Sequence, residues 1–172
     1  MPSIGQRLGL SRYEAQELYR RALAALLKGD RELDAAIALL NDAISLLPTE
    51  AEYWATRGLA YLNKGTDDFA KADFEAALRH NKREMLAHYG LGVIAFRDAE
   101  FDAAIAHFTD AYRLAPDRAE TFYYLGLTQD RRGEAAQAVE WMTRAHDAFE
   151  AAEDKRAADA LKLLTQFRKR VK

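Results

Sequence analysis

Four histidines, His80, His88, His107 and His146, are the first places to look for catalysis or metal binding. A helical metal pair needs two ligands three or four residues apart, and no two of these histidines have that spacing. The chain has no cysteine, which removes disulfides, thiolate zinc sites and a cysteine nucleophile. The carboxylates are spread along the sequence as solvated charge, and nothing has the form of a phosphate loop, a nucleophile elbow or a catalytic triad. The expectation is a non-enzymatic protein with no catalytic residues, no metal and no cofactor.

Charge patterning offers one more candidate. From Ala151 to Lys172 the chain is net +4, against -2 for the whole sequence. Arg168, Lys169, Arg170 and Lys172 at the end suggest RNA or an anionic surface as one alternative reading. The plainer reading is that basic residues gather at a helix C-terminus because the helix dipole favours them there. The small net charge supplies no global field for nucleic acid, so a nucleic-acid partner is disfavoured. No apolar run approaches the ~18 residues that span a bilayer. Met1 to Leu10 lacks the apolar stretch of a signal peptide. A cytoplasmic location is expected.

The elements that carry these residues form an internal repeat. Gly58, Gly92 and Gly126 stand 34 residues apart. Aligned on them, Ala55, Tyr89 and Tyr123 share a column, as do Ala70, Ala104 and Ala138, then Phe74, Phe108 and Met142, then Ala77, Ala111 and Ala145. An earlier copy contributes Ala22, 36 residues before Gly58, with Ala36, Leu40 and Ala43; its two extra residues fit the turn around Gly29. Antiparallel helices approach closely only where small residues meet. A glycine inside a helix costs about 1 kcal/mol relative to alanine, so its recurrence argues for close packing that offsets the loss. In that frame Ala22, Gly58, Gly92 and Gly126 face Ala36, Ala70, Ala104 and Ala138, and Leu40, Phe74, Phe108 and Met142 fill the space between neighbouring pairs.

Helices are expected near 11–28, 32–47, 50–64, 67–80, 84–98, 101–114, 118–132 and 135–150. Ser11 to Glu14 and Thr49 to Glu52 read as capping boxes, Asp117 reads as a third N-cap, and Gly29, Gly65 and Gly133 mark turns. A ninth helix near 153–170 has Ala157, Ala160, Leu161, Leu164, Phe167 and Val171 at helical spacing, as a cap over the last apolar face. His80 and His146 fall on packing faces, and His88 takes the large-residue column of Trp54 and Phe122.

The pattern resembles the tetratricopeptide repeat (TPR). One copy reads Trp54, Gly58, Tyr61, Ala70, Phe74 and Ala77. The next reads Leu91, Gly92, Ala104, Phe108, Ala111 and Pro116, and the last Phe122, Leu125, Gly126, Ala138, Met142 and Ala145. Arg57 departs from a usual leucine and Lys82 from the closing proline. The resemblance implies an all-α fold, a right-handed α-α superhelix of four helix-turn-helix repeats plus a C-terminal capping helix. It would be one TPR domain over 1–172, with repeats at about 15–50, 51–84, 85–118 and 119–152 and the cap at 153–170.

The resemblance also implies a scaffold or adaptor that binds a protein or peptide partner in a concave groove lined by the first helix of each pair. The columns place Tyr19, Leu23, Leu59, Leu62, Tyr89, Val93, Phe96, Tyr123 and Leu127 on that wall, with Arg20, Asn63, Arg97, Asp130 and Arg131 as polar contacts. Family members that grip a C-terminal carboxylate use asparagine where this chain has Leu23, Leu59, Val93 and Leu127, so a clamp of that kind is not expected. An apolar wall suits an extended apolar peptide or one face of an amphipathic helix. Three other outcomes stay open: first helices that bury these columns against each other, an N-terminal arm with Ile4, Leu8 and Leu10 folded into the groove, or a self-assembling homo-oligomer that buries its grooves together.

Overall fold

A computed structural model of the chain describes residues 4–171, with side chains from Gly9 onward. Its helices are α1 (Ile4–Leu26), α2 (Leu33–Leu46), α3 (Ala51–Lys64), α4 (Asp67–His80), α5 (Met85–Arg97), α6 (Phe101–Leu114), α7 (Ala119–Arg131), α8 (Ala135–Ala151) and α9 (Arg156–Arg168). One 3-10 turn, Asp30–Glu32, joins α1 to α2, and no strand occurs among the described residues. The protein is therefore all-α. The helices form two compact units whose boundary falls inside α5, between Gly90 and Leu91.

In the first unit α1 packs on α2, α2 on α3 and α3 on α4. Ala15, Ala22, Leu40, Ala43, Ile44 and Tyr53 make one buried cluster. The small-residue column has a more specific role here than helix-to-helix alanine contact. A Cβ on Gly58 would lie 2.7 Å from the Phe74 ring, ahead of the Ala70 carbonyl at 3.2 Å. Gly90 is tighter still: its Cβ would fall 2.1 Å from the same ring. Phe74, fully buried, is thus received by two glycines on two helices. Burying such a ring contributes roughly 1.5–3 kcal/mol, provided that nothing occupies its seat.

In the second unit α6 packs on α7, α7 on α8 and α8 on α9. Phe108 repeats the part of Phe74, with Gly92 making room on one side. At the position 34 residues after Gly90 stands Tyr124, whose ring stacks on Phe108 at 5.4 Å. Phe122, Ala138, Met142, Ala145, Phe149, Ala160, Leu164 and Phe167 form the terminal cluster, so α9 does cover the apolar face of α8. Two residues expected to share in that packing do not: Leu161 and Val171 are each 46% exposed.

Helix ends depart from expectation in an instructive way. Ser11 lies inside α1, because the helix already begins at Ile4 with no proline between. Residues 4–10 thereby extend α1 rather than forming a separate arm; Leu10 is exposed, and the side chains of Ile4 and Leu8 lie outside the described set. Thr49 and Asp117 each stand one residue before the actual N-caps, Glu50 and Arg118, neither of which makes a side-chain cap bond. The preceding turns bring the backbone round instead, through Glu50 N to Leu47 O and Arg118 N to Ala115 O.

The C-terminal turns follow the repeat closely. Gly29, Gly65 and Gly133 have φ of 81°, 79° and 84°. Glu134 N donates to Gln129 O, and Thr66 N to Tyr61 O, closing Schellman turns. The same turn closes from Glu100 N to Ala95 O, but there the left-handed residue is Ala99, at φ 60°.

Candidate functional site

The side chains expected on the first-helix face divide by depth. In the first unit Tyr19 and Leu59 are half-buried, Leu23 is 39% exposed, and Arg20 and Asn63 are exposed. Leu62 at 4% and Tyr89 at 8% are core residues. In the second unit Phe96, Tyr123, Leu127 and Asp130 are half-buried, while Arg97 and Arg131 are exposed. Val93, at 2%, is core. The expectation that the whole column is available to a guest is therefore corrected for Leu62, Tyr89 and Val93. Their columns were assigned by direction alone, and direction does not report how deeply neighbouring helices cover a side chain.

A cleft on the first unit's face lies between α1 and α3. Its volume is about 380 Å³, and it is lined by Gln16, Tyr19, Arg20, Glu50, Glu52 and Tyr53. The Tyr19 and Tyr53 rings lie 4.9 Å apart at 33°, and the Tyr19 hydroxyl is 3.2 Å from the buried Thr56 hydroxyl. Burial pushes the Tyr19 phenol well above its ordinary range, and nearby Glu52 and Glu84 add to the rise. Tyr53 is raised for the same first reason, with Glu50 and Glu52 contributing. Glu84, just before α5, is also raised: burial comes first and repulsion from Glu52 and Glu50 adds, against hydrogen bonds from the Leu86 backbone and Asn81 that pull it down.

The glutamates here were missed by reading columns from the middle of the helices. The signal was present, since Glu50 and Glu84 stand 34 apart at equivalent helix starts.

Arg57 occupies a position where a leucine was expected, and it is fully accommodated. Its guanidinium bonds Asp73 twice and Asn41 once, and lies 4.9 Å over the Trp54 ring. Trp54 in turn donates from Nε1 to Pro48 O at 2.8 Å. His80, assigned to a packing face, is exposed, though its ring stacks on Trp54 with centroids 6.3 Å apart. His88 is half-buried, with Nε2 3.0 Å from Lys82 O.

In the second unit Tyr123 packs edge-on to Tyr124 and Phe149, at 5.9 and 6.2 Å. Burial raises its phenol, with Asp159 and Tyr124 adding. Asp130 is tied to Arg170 and retains only 15% side-chain exposure. Arg156 bonds Glu120 at 2.9 Å and Asp154 at 2.6 Å, and its guanidinium sits 4.4 Å over Phe149. Part of the basic charge on the last helix is therefore neutralised within the protein, which weakens the case for an anionic surface as its target. Arg168 and Lys169 remain exposed.

One grouping escaped the search for paired histidines. His146, Asp147 and Glu150 on α8 bring ligand-type atoms within 4.8 Å of one another. His146 Nδ1 is 3.1 Å from Ala157 O and Nε2 is 3.8 Å from Glu150. Both carboxylates are solvent-exposed, and exposed acidic groups are common without a metal ion.

Residues 68–119 and 96–153 match one family described as Tetratricopeptide repeat, and residues 51–82 match a second of the same description. Among curated proteins, the chain is 28% identical over 115 residues to Anaphase-promoting complex subunit 3 of Schizosaccharomyces pombe, covering 67% of this chain and 17% of that protein. It is 27% identical over 109 residues to DnaJ homolog subfamily C member 3 of Gallus gallus, covering 63% and 21%. The chain thus spans about a fifth of the length of these relatives. Among solved structures, that of pilF from Pseudomonas aeruginosa superposes with a TM-score of 0.69 at 18% identity, covering 91% of this chain and 78% of that one. At that identity the likeness concerns the fold. No helix among the described residues is long and apolar enough to cross a membrane.

Proposed function

The chain belongs to the tetratricopeptide repeat family and is a protein-interaction scaffold of that general kind, and we propose that it holds a partner's polypeptide segment against the first-helix faces of its repeats. Each unit offers its own face. One observation carries the reading: Leu23, Leu59, Phe96, Tyr123 and Leu127 stay partly open to water although their column neighbours Leu62, Tyr89 and Val93 are buried. Partly open aliphatic and aromatic side chains at helical spacing gain most from an apolar guest, an extended peptide or an amphipathic helix. Arg20, Asn63, Arg97 and Arg131, all exposed, would meet the guest's polar groups.

The test is substitution outside the buried core, at exposed Leu23 and at half-buried Leu127, which borders the terminal cluster. Leu23→Ser and Leu127→Ser should each weaken capture of the native partner from cell extract while leaving helicity unchanged. Capture as strong as that of the parent by the double variant sinks the proposal. Serine at Val93 is unsuitable, because that side chain is in the core and its truncation would lower stability as well as binding.

A further inference from the structure

The cleft between α1 and α3 combines three features that no apolar peptide needs. It is concave, with a volume of about 380 Å³, where a side chain of some length fits. Its floor and wall are the paired rings of Tyr53, which is buried, and Tyr19, which is half-open. Its rim carries Glu50 and Glu52, both exposed, on the first turn of α3 and the residue before it.

From this geometry we propose that the cleft takes a lysine or arginine side chain of the bound partner, its aliphatic stem on Tyr19 and its cation among Glu50, Glu52 and Glu84. The inference rests on the reading above that this face receives a partner polypeptide.

Charge complementarity supports a cationic guest. The groups around the cleft are Arg12, Glu17 and Arg20 on α1, Glu50 and Glu52 at the start of α3, and Glu84 before α5. Carboxylates outnumber guanidiniums there, and Arg20 is already paired with Glu17 at 3.0 Å. Glu84 is half-buried and repelled by both other glutamates; hydrogen bonds from the Leu86 backbone and Asn81 offset this only in part, and a cation nearby would relieve the rest. An aromatic face beside carboxylates attracts a cation twice, through the ring quadrupole and through the charge. A long stem that ends in a cation uses both parts of the cleft, which a bare metal ion would not.

The 15N-labelled full chain, titrated with terminally blocked alanine pentapeptides carrying a central lysine, arginine, norleucine or glutamate, tests this. Spectra are followed to about 10 mM, above the ~1 mM dissociation constant typical of a weak contact. The lysine and arginine peptides should shift the amides of Tyr19, Glu52 and Tyr53 and saturate; norleucine and glutamate should not. Glu52→Gln and Glu84→Gln, checked for folding by circular dichroism, should each weaken the lysine peptide about threefold to fivefold.

Equal binding by norleucine, shifts confined to other helices, silence at the highest concentration, or unchanged affinity in both variants overturns the proposal. The two readings fail separately. Lysine binding here, with partner capture indifferent to Leu23 and Leu127, leaves the cleft's chemistry standing and removes the partner role. Partner capture lost on serine substitution, with the lysine peptide silent, does the reverse.

Discussion

Arg57 and Asp73 meet through two parallel hydrogen bonds, Nε to Oδ2 and Nη2 to Oδ1, each 2.7 Å long. The side chains keep only 16% and 6% exposure, and the bond to Asp73 holds the guanidinium above its ordinary range. Removing one member of such a pair strands a desolvated charge; removing both does not. Asp73→Ala should therefore cost about 2–4 kcal/mol in urea denaturation. The double variant Arg57→Leu with Asp73→Leu should cost less than that single change. A double variant less stable than Asp73→Ala would contradict it.

The helix glycines should rank by what a methyl group would strike. At Gly90 a Cβ meets the Phe74 ring at 2.1 Å, at Gly92 the Phe108 ring at 2.6 Å, and at Gly58 the Phe74 ring at 2.7 Å. At Gly126 the nearest atom is the mobile end of Met142, at 3.0 Å. Overpacking costs about 1–3 kcal/mol, set against the ~1 kcal/mol of helix propensity that alanine restores. Thermal melts should place Gly90→Ala lowest and Gly126→Ala closest to the parent.

Ala99 is a residue in the wrong conformation for its type. Its φ of 60° occupies the column where Gly65 and Gly133 stand. A left-handed alanine costs about 1–2 kcal/mol, part of which glycine gives back through its freer unfolded chain. Ala99→Gly should stabilise the protein by about 0.5–1 kcal/mol, read as a raised urea midpoint. A lowered midpoint would show that the turn is not strained.

Asp154 is held down to about 2, from an ordinary value of 3.8, by side-chain and then backbone hydrogen bonds from Arg156. A depressed carboxyl contributes stability above its unfolded value, and that contribution disappears as pH falls through the folded one. Carboxyl NMR should find Asp154 titrating near pH 2 in the parent. Arg156→Ala should move the midpoint up toward the ordinary range, so that the stability lost with Asp154's protonation shrinks toward nothing.

The helix pairs were legible because a 34-residue period repeats small and large residues in fixed columns, and packing enforces those columns. Gly90 was not, because it stands outside them: its counterparts are Thr56 and Tyr124, and its size matters only through Phe74. The N-caps were misplaced at Thr49 and Asp117 since a serine, threonine or aspartate near a helix start competes with turn geometry that needs no side-chain cap. Leu62, Tyr89 and Val93 were given the right helices but too much exposure. The acidic cleft at Tyr19 went unseen because it depends on residues from two helix starts meeting a ring on a third element.

The most direct test of partner capture on first-helix faces is site-specific photocrosslinking in the native cell. A photoreactive phenylalanine is placed at Leu23 or Leu127 on the first helices, and at exposed Ala72 or Ala106 on the second helices. The account predicts covalent partner adducts from Leu23 and Leu127 and none from Ala72 and Ala106. Adducts from the second helices alone would contradict it.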